Sequence, residues 1–281
     1  MRRVRNHVVA VVFVAIGVTY VALPAAAQYL RYPTAGVPRN ADGTVNLSAP
    51  TPRTPDGKPD FSGIWITNKP LCPKPDPVTY LCGDELPLSR EGINFGIDMP
   101  GGLPYQPWLA ALVKERTAND AKDDPHVRCL PDTFVRAYGL PHLLKFIQTP
   151  GLLVMLNEMN AGYRQVFTDG RPFPTDPVPS WQGYSSATWS GDTLVVNTIG
   201  FRDDLWIDIQ GSMLTESAKV QERIGRPDYG HLEIELTVDD PKAYTKPWTV
   251  TLKQRIAVDT ELVDEICLEN EQSYQRMKNV K

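Results

Sequence analysis

Two glutamates interrupt apolar strand faces. Within 218–224 the alternating set Ala218, Val220 and Ile224 also contains Glu222, and within 152–159 the set Leu152, Val154 and Leu156 contains Glu158. A carboxyl group in an apolar wall titrates high unless a cation pairs with it, and a high pKa suits a general acid or base. On that chemistry Glu222 is the base, His231 or Tyr163 the acid, and Arg164 the stabiliser of an oxyanion or enolate. The plainer and favoured reading places Glu222 or Glu158 at a barrel rim, bonded to Arg164, Arg223 or Arg255. His231 opens a stretch in which Leu232, Ile234, Leu236 and Val238 share one face. The other face, His231, Glu233, Glu235 and Thr237, reads as solvated.

Aromatic residues are the second chemical resource. Tyr163, Phe167, Phe173, Trp181, Tyr184, Trp189, Phe201 and Trp206 crowd one part of the chain, and most read as core. Trp181, Tyr184, Phe201 and Trp206, beside the DGRP and GFRDDLW loops, are candidates to line the mouth of a ligand cavity. Glu158, Arg164, Arg171 and Asp204 would be polar anchors there, although Arg171 reads slightly better as a hairpin tip. His126 stands in a polar loop and His142 follows Pro141, so no tight His/Cys set predicts a metal site. The aspartate pairs 123–124, 203–204 and 239–240 lack calcium-loop spacing and read as turns. No G-x-S-x-G, Walker or dinucleotide fingerprint occurs, and no cofactor is expected.

The elements that must position these residues are mostly strands. From 143 to 196, runs rich in Val, Ile, Leu, Phe, Tyr and Thr alternate with Pro-Gly, Asn-Ala-Gly, Asp-Gly and Ser-Gly-Asp, the grammar of an antiparallel meander. Strands are predicted at 218–224, 231–238, 248–258 and 261–267, with Asp239-Asp240-Pro241 as a break. Pro107 opens one amphipathic helix over 107–119, with Leu109, Leu112, Val113 and Arg116 on one side. About nine or ten strands, one helix and no βαβ alternation predict a mainly β fold, a closed or nearly closed antiparallel barrel over 61–270. Residues 28–60 are a Pro-rich extended arm or linker, and 271–281 a polar tail.

Residues 1–27 read as an export signal. Arg2, Arg3 and Arg5 precede an apolar run over 8–21, and Ala25-Ala26-Ala27 supplies small residues for cleavage. The rival is an uncleaved anchor. Cleavage leaves 26 Lys+Arg against 33 Asp+Glu, which argues against nucleic acid as the main partner. The four cysteines of an exported chain are expected to form two disulfides: Cys72–Cys82 around a short Pro-rich loop, and Cys129–Cys267 across the β region. The second is worth on the order of 4 kcal/mol in the chain-entropy model.

Two resemblances add to this reading. Gly63-Ile64-Trp65 resembles the G-x-W of the first strand of lipocalins and related calycins, which implies a tryptophan plugging one end of an up-and-down barrel. The stretches PRTPDGKPDFSGIW, LPYQPW, VKERTANDAKDDP, RCLPDT, YRQVFTDGRPFP, GDTLVVNTIGF, GHLEIELTVDDPKAYTKPWTV and CLEN resemble a large family of exported bacterial proteins to which no activity attaches. That resemblance implies export and supplies no reaction. Its pattern carries histidines where this chain has Gly211 to Glu216, so histidine or metal chemistry at that loop is not expected. The function expected first is a periplasmic or secreted lipocalin-like carrier of a small apolar or aromatic molecule. The alternative is a cofactor-free lyase, isomerase or hydrolase in the same cavity. Neither reading needs a membrane after signal cleavage, and the oligomeric state stays open.

Overall fold

The computed structural model describes residues 32–68 and 89–270. The export signal, the Cys72–Cys82 loop and the polar tail lie outside the described residues. The strands are β1 (Gly63–Thr67), β2 (Leu144–Thr149), β3 (Leu152–Asn157), β4 (Gly162–Phe167), β5 (Tyr184–Ser190), β6 (Thr193–Ile199), β7 (Leu205–Trp206), β8 (Met213–Leu214), β9 (Lys219–Gly225), β10 (His231–Asp239) and β11 (Trp248–Ala257). Helices are α1 (Arg90–Ile93), α2 (Pro107–Ala118), α3 (Phe134–Ala137) and α4 (Cys267–Asn270).

Nine strands close into a barrel in the order β1-β11-β10-β9-β6-β5-β4-β3-β2, while β7 and β8 form a separate ribbon. A ring with an odd number of strands cannot alternate direction all the way round. One neighbouring pair must therefore be parallel, and it is β4–β5, joined only at Val166↔Ser185 and Phe167↔Ser186. This corrects the purely antiparallel expectation. Asp169-Gly170 does not close a hairpin; the chain from 168 to 183, carrying Pro172, Pro174, Pro177 and Pro179, runs back along the wall so that β5 starts at the same end as β4. The predicted strand over 261–267 is also absent. Glu265 makes a single bridge to Met159, and Cys267 begins α4.

Alternation places one residue set inside. Val220, Glu222 and Ile224 of β9 are buried while Gln221 and Arg223 are exposed. On β3 the inward residues are Leu153 and Met155, not the set containing Leu152 and Val154. Both faces of β3 are apolar, so only its register with β2, Thr149↔Leu152 and Phe146↔Met155, selects between them. Glu158 consequently lies beyond the end of β3, off the expected face, where its Oε2 accepts from the Leu143 amide at 2.9 Å.

The two ends are closed differently. Residues 32–60 are docked rather than a free linker: Ala49 and Leu47 carbonyls accept from the Tyr229 and Gly230 amides at 2.8 and 2.7 Å. There Trp65 is buried and its Nε1 donates to the Phe61 carbonyl at 3.0 Å. Gly63, two residues earlier, has a φ of +145° that L side chains rarely adopt, which accounts for glycine in G-x-W here. The opposite end carries the chain from 89 to 143, the β7–β8 ribbon and the β10–β11 connection. Pro107 at the first turn opens α2 as expected, and Leu109 and Val113 bury its apolar side in the main core cluster. Arg116 of α2 donates to the Gly211 carbonyl at 2.7 Å, and Trp108 to that of Lys242 at 2.9 Å. The Cys129–Cys267 disulfide, with Cα atoms 5.4 Å apart, joins this end to the C-terminal segment. Among the described residues no helix is long and apolar enough to cross a membrane.

Candidate functional site

Glu222 reaches the barrel interior from β9, and Arg164 meets it from β4. The pair is bidentate: Nη2 donates to Oε2 at 2.5 Å and Nη1 to Oε1 at 3.1 Å, with Glu222 fully buried. The other guanidinium protons are also used. Nε and Nη2 each lie 3.1 Å from Ser185 Oγ, and Nη2 lies 3.0 Å from Thr198 Oγ1. Phe134 stacks over the guanidinium with its ring centroid 3.4 Å from Cζ. Tyr138 donates its hydroxyl to Glu222 Oε1 at 2.7 Å. Burial, reinforced by the Glu222 charge, pushes the Tyr138 phenol well above its ordinary value, so it stays a donor. Burial opposes the Arg164 charge, but Glu222 outweighs it and the guanidinium titrates higher than usual. Glu222 is thus a carboxylate paired with a cation, not an unpartnered one in an apolar wall. The site holds a buried, fully bonded ion pair, in the barrel interior rather than at a rim.

Phe134 and Tyr138 come from the segment that plugs this end, and a second polar cluster holds that segment in place. Thr133 caps α3, its hydroxyl accepting from the Arg136 amide at 3.2 Å. Arg136, buried, donates both Nη groups to Asp124 at 2.7 Å and has Nε 3.2 Å from Asp132 Oδ1 without hydrogen-bond alignment. Asp132 Oδ2 lies 2.8 Å from His126 Nδ1. Burial disfavours the His126 charge, but the Asp132 bond and charge prevail and raise its pKa. Asp208, between β7 and β8, accepts from the Gln210 and Ser212 amides through Oδ1, while Oδ2 has no hydrogen-bond partner. Burial pushes its carboxyl up to about 6.

A cavity of about 600 Å³ opens at this end. Inside the wall it touches Phe134, Tyr138, Phe146, Met155 and Arg164; outside it touches Leu156, Tyr163, Phe167 and Tyr184, and Trp181, packed against the core, also borders it. Size and apolar lining are those of a small-molecule site.

The residues expected to act together are only partly assembled. Glu222 and Arg164 meet. Tyr163 points outward and is 64% exposed. His231 is on the outer face of β10, its Nδ1 2.7 Å from Asp228 Oδ1, five residues before the Leu236 that pairs with Glu222. Trp181 and Tyr184 line the cavity, Tyr184 stacked on Phe167 at 5.3 Å. Phe201 is buried beside Phe134, with centroids 6.1 Å apart. Asp204 and Trp206 are elsewhere, both engaged by Arg116 of α2, at 2.7 Å to Asp204 Oδ1 and 4.3 Å over the indole. Arg171 is at an exposed turn, bonded to Asp169. Sequence reasoning missed Tyr138, Phe134, Ser185 and Thr198. Only Ser185 and Thr198 carried a signal, as hydroxyls on the inward face of β5 and β6. It also read Asp124 and Asp240 as turn residues. Asp124 is a buried ion-pair partner, and Asp240 accepts from the Thr215 amide and hydroxyl at 2.7 and 2.8 Å.

Comparison with models of protein families and with curated proteins finds no match for this chain. The reading of the site therefore rests on its geometry.

Proposed function

We propose that this chain is an exported, lipocalin-like carrier that holds a small apolar or aromatic molecule in the cavity at the plugged end of the barrel. One observation carries the reading: a largely apolar cavity of about 600 Å³ in which the bordering guanidinium, Arg164, is neutralised by Glu222 behind it. A saturated ion pair presents no unpaired charge to a guest, so a neutral apolar body fits against it with little electrostatic penalty. Trp65 sealing the far end supports the calycin-like comparison, and the Cys129–Cys267 disulfide supports an oxidising compartment. Membership of the exported family resembled above belongs to the same proposal.

The acid/base alternative retains Glu222 beside Arg164. Its proposed acids, Tyr163 and His231, face away from the interior, and Glu222 is already bonded to Arg164 and Tyr138. The carrier reading is therefore preferred. It is tested by thermal-shift screening of the folded chain with apolar and aromatic compounds. A guest at a hundredfold excess over its Kd stabilises by about 2.7 kcal/mol. A screen in which no such compound raises the Tm removes the carrier. A compound that is consumed by the chain but not by Glu222→Gln restores the enzyme.

A further inference from the structure

The shape of the cavity says more about its guest, and the inference rests on the carrier reading. Tyr163, Arg164 and Gln165 are consecutive on β4, and all three border the cavity. Consecutive strand residues point to opposite faces of a sheet. One cavity touches all three only by passing around an edge of the wall.

The topology supplies that edge. β4 is paired with β3 along Gly162 to Phe167, but with β5 only at Val166 and Phe167. Among the described residues Gly162 to Gln165 have strand partners on the β3 side alone. The parallel seam forced by the odd strand number is thus a slot, closed above by two residue pairs and flanked by Trp181, Gln182 and Tyr184.

The two sides of the slot differ in chemistry. Inside, Phe134, Phe146 and Met155 are apolar and the guanidinium has no free donor. Outside, Leu156 and the exposed Tyr163 make an apolar shelf beside the exposed amide of Gln165, bounded by Phe167, whose ring is covered by the Arg171 guanidinium at 4.0 Å and stacked with Tyr184. We propose that the guest is an elongated single-chain amphiphile threaded through this slot, its hydrocarbon inside the barrel and its polar end outside on the β3–β4 shelf. A guest held wholly inside would leave the shelf unused. A guest held wholly outside would leave the inner pocket unused.

The test compares 11-(dansylamino)undecanoic acid with dansylamide, which lacks the chain, by fluorescence titration of the folded protein. The chain probe is expected to bind at least about tenfold more tightly, since its methylenes add apolar surface removed from water. Tyr163→Asp and Gln165→Asp, at solvent-facing positions, are expected to weaken the chain probe about tenfold and leave dansylamide unchanged. Met155→Trp, filling the inner pocket, is expected to weaken both. Should Met155→Trp fail to fold, the two outer variants still decide the matter. Unchanged binding of the chain probe in both outer variants overturns the threaded pose while leaving an internal carrier standing. Failure of the folded wild-type chain to bind either probe overturns the carrier itself.

Discussion

The two ends of this barrel solve the same problem with opposite materials. At the arm end, where the exposed Arg39 and Arg53 pair with Asp259 and Asp192, the buried cation is spread over backbone carbonyls: Arg226 donates to Asp60, Ser62, Asp228 and Tyr229 and lies 4.8 Å from the Trp65 ring centroid. No carboxylate is needed, and burial pulls this guanidinium down to about 10. At the plugged end, charges are paired side chain to side chain, Arg136 with Asp124 and Asp132, and Arg164 with Glu222. The cavity lies at the ion-paired end. Discrete pairs position a segment without filling the space beside it, whereas an arginine stacked on a tryptophan and surrounded by backbone fills what it bonds.

The largest expected effect is at the plugged end: opening the Cys129–Cys267 link, which spans 138 residues, should lower stability by about 4 kcal/mol. Urea unfolding with and without reductant measures it, and coincident midpoints would remove the disulfide from the account. Glu222→Gln should cost about 3 kcal/mol by leaving Arg164 charged and unpaired, and Arg164→Met with Glu222→Leu should recover most of it. If the double variant is the less stable, the pair is worth more than its burial costs.

Titration separates the ends further. Asp208 titrates at about 6 when folded against about 4 when unfolded, so the folded state holds the extra proton. Its contribution to stability is fully present below about pH 4 and is lost as pH rises through about 6. The raised His126 acts in the same direction, its contribution being lost as pH rises through its folded value. Asp132 and Glu265, whose histidine partners lower them against burial, act oppositely and lose their contribution in acid. Asp208→Asn should therefore gain up to about 3 kcal/mol at pH 8 and nothing near pH 4. A gain independent of pH would contradict the assignment. The smallest effect is expected at the arm end. Arg226→Met should cost about 2 kcal/mol through carbonyls left without a donor, with no change in probe affinity. Loss of binding in that variant would mean that the ends are coupled.

Much of the frame was legible beforehand because period and punctuation are local. The alternation of 218–224 grouped Glu222 with the buried Val220 and Ile224, although the favoured reading set it at a rim; Pro107 located the helix start, and Asp239-Asp240-Pro241 ended β10. Where a strand is apolar on both faces the period says nothing, and the side assigned to Leu152, Val154 and Glu158 went wrong for that reason. Where a turn dipeptide precedes four prolines, as after Asp169-Gly170, local grammar suggests a hairpin that the ring cannot accommodate.

Composition and alternation alone determined that this chain forms strands and roughly how many, because these depend on side chains within a few positions of one another. Only closure decided the rest. The parity of the ring made β4–β5 parallel and left its seam short. Register brought Arg164, Ser185, Thr198 and Glu222 into one bonded group from four strands, and the plug delivered Phe134 and Tyr138 to it. Partners separated by 58 residues, as Arg164 and Glu222 are, leave no periodic trace in a sequence, since what joins them is the circumference of the barrel.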